Sequence, residues 1–196
     1  MAKQQAKRRV KTTLKKGKKK WFTAIAPELF NKQEIGEVTA FEPKNLIGRV
    51  LDVNLMMLTR SPRDQSKKLV FEIVDTRGDQ AITEPKKYYL LDSYVQRASR
   101  RYKGRYEPVF YVSTKDEHKL KVKAHILLNK RVPVSLRSKL INTAKESLAK
   151  KFAKQPLSLV FDSTFLYKIG DETKKELKKL FPISKVDIWK LSRVKK

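Results

Sequence analysis

Between Gly48 and Val74 the apolar residues recur at every second position. Leu51, Val53, Leu55 and Met57 alternate with Asp52, Asn54 and Met56, and Leu69, Phe71 and Ile73 alternate with Val70, Glu72 and Val74. A period of two predicts a strand in each stretch, with the polar segment 61–68 as the loop between them. Arg77-Gly78-Asp79 has turn chemistry. A short third strand is expected near 80–83, stopped by Pro85. From Leu91 the period becomes helical. Leu91, Tyr94, Val95, Ala98 and Tyr102 fall on one narrow face, while Arg97, Arg100 and Arg101 lie beside and opposite it. Lys103 and Arg105 follow in a Gly-bearing tail.

Residues 108–128 carry the clearest hairpin pattern, with 109–114 as the first arm and 115–118 as the turn. In the second arm Leu120, Val122, Ala124, Ile126 and Leu128 face one way, and Lys119, Lys121, Lys123 and His125 the other. That is the pattern of a sheet with one solvated face. Pro133 then introduces a helix, with Ser135 as the expected N-cap and Leu136, Leu140, Ile141, Ala144, Leu148 and Phe152 as its apolar stripe. Residues 157–169 fit either a helix bounded by Pro156 and Gly170 or a strand. Asp171 is expected to cap a short helix ended by Pro182, and 186–191 to form a closing strand. This order of elements is α+β. The number of strands suits a small antiparallel β-barrel, or a strongly curled sheet, flanked by helices.

Charge changes the picture most. The 196 residues include 47 Lys and Arg against 20 Asp and Glu, a formal net charge of +27. A compact state with that excess repels itself unless a polyanion neutralises it. RNA, DNA and anionic membrane are the candidates. The apolar content of 40% is too high for a disordered tail. Residues 1–20 hold no acid and few apolar residues, so they are expected to be a basic RNA-binding extension, or else a solubilising tail. Residues 21–196 are expected to form one domain. Trp21, Phe22, Ile25 and Phe30 are expected to pack on the core and anchor the arm, the alternative being an exposed Trp-Phe pair that stacks on bases.

Much catalytic chemistry is missing. There is no cysteine and there are two histidines, His118 and His125, both expected at the surface. No thiolate site or histidine triad can be built. Phosphate-loop, dinucleotide and zinc-protease motifs are absent. Asp116-Glu117 and Asp171-Glu172 lack an evident base or metal partner, so a Mg²⁺-dependent nuclease is disfavoured. The expectation is a non-enzymatic protein with no cofactor, no metal and no small-molecule substrate. No apolar run approaches membrane-span length, so no membrane partner and an intracellular location are expected.

Candidate phosphate-binding residues follow from exposure and charge. In the arm they are Lys7, Arg8, Arg9, Lys11, Lys15, Lys16, Lys18, Lys19 and Lys20. In the helix and its tail they are Arg97, Arg100, Arg101, Lys103 and Arg105, whose guanidinium forks can each grip two phosphate oxygens. In the hairpin they are Lys119, Lys121 and Lys123, spaced about 6–7 Å apart along the strand. The competing reading of the helix is a solvated surface, and that of the hairpin lysines is protection of an edge strand.

Several stretches together resemble the archaeal and eukaryotic small-subunit ribosomal proteins of family 3Ae. They are Lys20-Trp21-Phe22, Ala26-Pro27, Phe30, Ile35-Gly36, Ile47-Gly48-Arg49 and Leu58-Thr59. Ser93-Tyr94-Val95 leading to Arg100-Arg101, then Thr114-Lys115-Asp116, and Pro182 with Val186, Ile188 and Lys190 complete the set. The length is similar to the shorter archaeal form. Pro85-Lys86-Lys87 departs from the Gly-His pair usual before the Tyr-bearing helix. The resemblance implies a β-barrel flanked by helices on the platform of the cytoplasmic small ribosomal subunit, near the mRNA exit. Its partners would be rRNA and neighbouring ribosomal proteins, with direct contact to mRNA left open. A DNA-compacting chromatin protein is the alternative from a different class.

Overall fold

The computed structural model describes residues 18–194, in which nine strands form one sheet with helices packed on it. In chain order the elements begin with β1 (Lys20–Ile25), β2 (Glu34–Ala40), β3 (Val50–Asn54), α1 (Leu55–Thr59), β4 (Lys67–Arg77), β5 (Gln80–Leu90) and α2 (Asp92–Arg100). They continue with β6 (Gly104–Tyr106), β7 (Val109–Ser113), β8 (Lys119–Leu128), α3 (Val134–Ala153), α4 (Leu157–Val160), α5 (Ser163–Lys178) and β9 (Ile183–Arg193).

The class is α+β, but the sheet is mixed and does not close into the expected antiparallel barrel. One edge of β5 pairs with β4. Its other edge pairs first with β1, in parallel through Ala81↔Ala24, and then with β9, antiparallel through Tyr88↔Leu191. β8 pairs with β9 on one side, and on the other with β7 along its first half and β6 along its second. The sheet therefore forks at both ends, and β2, β3, β6 and β7 remain outermost strands. Alternation marks strands but carries no information about closure, which depends on how distant segments pair.

The core lies on the inward face of β8 and β9. Leu120, Val122, Ala124, Ile126 and Leu128 are all fully buried, against Val186, Ile188 and Leu191 of β9 and the apolar faces of α3 and α5. In α3, Leu140, Ala144, Leu148 and Phe152 turn inward as expected, while Leu136 is exposed. Ser135 is not its N-cap. Pro133 holds that position, and no side chain caps the end.

Four expectations fail for local reasons. The strand from Gly48 stops at Asn54, because the Asn54 side chain accepts from the Met56 N–H and starts α1. A capping Asn offers the backbone this alternative to the sheet ladder. Met57 consequently points to solvent, while Leu55 and Leu58 are buried. Pro85 does not end its strand. β5 runs through it at a bulge, with Phe71 opposite Pro85 and Val70 opposite Lys87, the kind of position in a sheet that tolerates a missing N–H. Residues 157–169 take the helical alternative, as α4 and the start of α5 with Phe161 and Asp162 between them, but Gly170 does not close the helix and Asp171 does not cap the next. Asp162 caps α5 through the Thr164 N–H, and the helix passes straight through Gly170, leaving Asp171 exposed in mid-helix. Trp21 is 65% exposed, while Phe22 and Phe30 are buried and Ile25 is half-buried. Adjacent residues on a strand face opposite ways, so Trp21 and Phe22 cannot both enter the core.

Gly170 is where α5 meets β9. A Cβ on it would lie 2.6 Å from the Val186 carbonyl oxygen. The segment expected to be a polar loop holds a further device. Asp64 and Lys67 are buried together, Nζ to Oδ1 3.0 Å, with Thr59 Oγ1 donating to Asp64 at 2.7 Å. The Lys67 ammonium lies 3.2 Å from the centre of the Tyr167 ring on α5. Burial pushes the Asp64 carboxyl up, but hydrogen bonds from Thr59 and Lys67 outweigh it and hold its pKa below the usual value.

Gly170→Ala, which in an isolated helix would stabilise by about 1 kcal/mol, should here destabilise by about 1–3 kcal/mol through overpacking, read as a lower urea midpoint. Asp64→Ala leaves the Lys67 ammonium buried without its partner and should cost about 3–5 kcal/mol at pH 7. Because the folded-state pKa of Asp64 is lowered, its contribution is present above about pH 4 and fades as pH falls through the folded value. Denaturation at pH 7 and pH 2 should therefore show the gap between wild type and variant narrowing in acid.

Candidate RNA-binding surface

Helix α2 stands on the outward face of the sheet. Asp92 in its first turn and Arg97 and Arg100 in its last complement the helix dipole. Val95 is buried beneath it, Ser99 Oγ sits 3.2 Å from His125 Nε2, and Lys185 Nζ donates to Tyr94 Oη at 2.6 Å. These contacts fix which side faces solvent. Arg97, Arg100 and Arg101 are exposed, and none makes an ion pair among the described residues. The helix ends at Arg100, so Lys103 lies in the following bend, exposed. Arg105 is in β6, where its Nε is 3.0 Å from Glu107 Oε1. Arg105 is thus partly neutralised within the protein.

The hairpin lysines are not equivalent. Lys119 and Lys121 are exposed. Lys123 is half-buried, with its ammonium 2.6 Å from Glu107 Oε2 and 3.5 Å from the centre of the Trp189 ring. The expected strip of three is therefore two open cations and one enclosed. His125, expected at the surface, is 1% exposed because α2 lies over the second half of β8. Burial lowers its pKa below the ordinary value, which favours the neutral ring. His118 is half-buried near the hairpin turn.

Of the arm, Lys18, Lys19 and Lys20 are exposed at the start of β1, with Lys19 Nζ 5.6 Å from the Phe41 ring centre and the exposed Trp21 next in sequence. Lys7, Arg8, Arg9, Lys11, Lys15 and Lys16 lie outside the described residues. The structure also adds residues that the reading of isolated segments missed. Tyr111 is opposite Lys121, Lys121 opposite Ser192, and Ser192 opposite Lys87. Neither Tyr111 nor Ser192 stood out in the sequence, and only strand pairing shows that they share one row with Lys87.

The acidic pairs do not form a nuclease site among the described residues. Asp116 Oδ2 accepts from the Leu157 N–H at 2.7 Å, which fixes the start of α4. No group of three or more His, Cys, Asp or Glu among the described residues could hold a metal ion. No helix of the described residues is long and apolar enough to cross a membrane.

The profile of the Ribosomal S3Ae family matches residues 5–196. The chain belongs to that family. The small ribosomal subunit protein eS1 of Methanobrevibacter smithii is 32% identical over 97% of both chains. Its counterpart in Archaeoglobus fulgidus is 31% identical over 88% of this chain and 83% of its own length. That of Desulfurococcus amylolyticus is 29% identical over 88% and 81%. S3Ae proteins are ribosomal proteins rather than enzymes.

The two classes of hairpin lysine should separate experimentally. Lys121→Ala removes an open cation and should weaken binding to rRNA fragments and lower the salt slope by about 0.7–0.9. Lys123→Ala removes a cation already held by Glu107 and should change affinity less, while costing some stability because half-buried Glu107 keeps only Arg105 as a partner. Filter binding across a salt series, paired with thermal unfolding, reads both.

Proposed function

We propose that this protein is a structural, non-enzymatic constituent of the small ribosomal subunit that binds rRNA. The observation that carries the reading is the set of exposed arginines on α2, free of ion pairs among the described residues, in a chain of the S3Ae family. The relatives named above are all small ribosomal subunit proteins. The mechanism is charge neutralisation. Arg97, Arg100 and Arg101 grip phosphates, Lys119 and Lys121 form a second contact, and Lys7 to Lys20 thread between RNA segments. Arg105 and Lys123 contribute less, since Glu107 shares both. The sheet and its helices supply rigid spacing, so close-packed phosphates meet cations in fixed positions. Cations spread over helix, hairpin and arm suit a folded RNA that wraps the protein better than a duplex read by one recognition element. The family resemblance supports a place on the platform near the mRNA exit, with neighbouring ribosomal proteins in contact.

Arg97→Ala/Arg100→Ala/Arg101→Ala should lower affinity for small-subunit rRNA and reduce the salt slope by about 2–3, at about 0.7–0.9 per phosphate lost. Its unfolding midpoint should stay near wild type, because exposed substitutions usually fall within about 0.5 kcal/mol. In a sucrose gradient of native lysate the wild-type protein should travel with small subunits and persist there at several hundred millimolar salt. Sedimentation at the top of the gradient, or with DNA, would overturn the ribosomal reading.

A further inference from the structure

We propose that the open face of the sheet across β7, β8, β9 and β5 binds single-stranded RNA, stacking an unpaired base on Tyr111 and holding flanking phosphates with Lys121 and Lys87. This deepens the rRNA-binding reading and rests on it.

The register brings these residues together. Tyr111, Lys121, Ser192 and Lys87 are successive cross-strand partners, so their side chains leave the same face of the sheet. With strands about 4.8 Å apart, three spacings put Lys87 about 14 Å from Tyr111. Tyr111 is 66% exposed, and the Lys121 ammonium is 5.8 Å from its ring centre. A large aromatic that far out of the core buries little of its area on folding, whereas it offers a flat face to a base. Beyond Ser192 the face dips into a trough of about 480 Å³, lined by Lys87, Tyr89, Val70 and Ser192 among others. Tyr89 holds the Lys87 ammonium 5.0 Å from its ring, and its hydroxyl donates to Asp52 Oδ2 at 3.1 Å.

Charge on this face favours a polyanion. Lys121, Lys87 and Lys68 have no ion-pair partner among the described residues. The acids nearby are engaged: Glu107 with Lys123 and Arg105, Asp52 with Tyr89, and Asp92 at 3.7 Å from Lys190. An RNA duplex would use only the lysines, because its bases are stacked inside and its deep groove is closed to side chains. A single strand uses both the lysines and Tyr111, with a stacking gain that tolerates any sequence.

The test uses the full-length protein, a fluorescent single-stranded 12-nucleotide oligouridylate, and an RNA duplex with the same number of phosphates, both at about 200 mM salt. Tyr111→Ala should weaken the single strand about 5- to 100-fold, the range expected for losing one stacked base, and leave the duplex within about twofold. Tyr111→Phe should restore single-strand binding, and the unfolding midpoint of Tyr111→Ala should match wild type. Lys87→Ala/Lys121→Ala should lower the single-strand salt slope by about 1.4. Equal losses on both RNAs, or no loss on the single strand while wild type binds it, would overturn the stacking site and leave the rRNA reading standing. A wild-type protein that bound neither probe would overturn both.

Discussion

Strand β9 joins what would otherwise be two separate sheets. It pairs with β5 through residues 87–89 on one side and with β8 along nearly its whole length on the other. The strands before α2 and those after it pair with each other only through β9. The same strand presents Val186, Ile188 and Leu191 to the core and lets α5 approach closely over Gly170. This strand, late in the chain, therefore completes the sheet, and its pairing reaches back to Lys87. Such non-local pairing is slow to form, because loop closure must be paid for before the contacts reward it.

The basic surface depends on this arrangement. Alternation along β8 sends five apolar side chains into the core and leaves Lys119 and Lys121 outside. β9 then carries the outward row on to β5, where Lys87 continues it. Helix α2 occupies the other half of the same face and turns its arginines away from it. Cations thus end up on a stiff support, which lowers the ordering cost when a polyanion binds. Self-repulsion from a net charge of +27 would be relieved on binding a polyanion.

Two polar clusters show how coverage alters side-chain chemistry. His125 and Lys123 occupy outward positions of β8, yet α2, Trp189 and Glu107 enclose them. Asp64 and Lys67 lie in a segment of loop composition, yet α5 covers them with Tyr167. In each case the covering element comes from elsewhere in the chain. Much of the candidate site was still legible, since Arg97, Arg100, Arg101, Lys119 and Lys121 are exposed where periodicity placed them. Lys87 and Tyr111 were not, because a cross-strand row does not exist until the register is set.

The sequence by itself determined the secondary structure wherever one period ran long enough: the β4 strand, the β7–β8 hairpin, the cores of α2 and α3, and the closing strand. It pointed to a polyanionic partner too, because a net charge of +27 needs no fold to be read. Tertiary structure alone decided that the sheet stays open, that Pro85 sits at a bulge, that Gly170 is a packing position, and which basic residues remain free. Local patterns report the two faces of a single element. Pairing, burial and neutralisation are properties of two or more elements meeting, and those meetings are set by contacts distant in the chain.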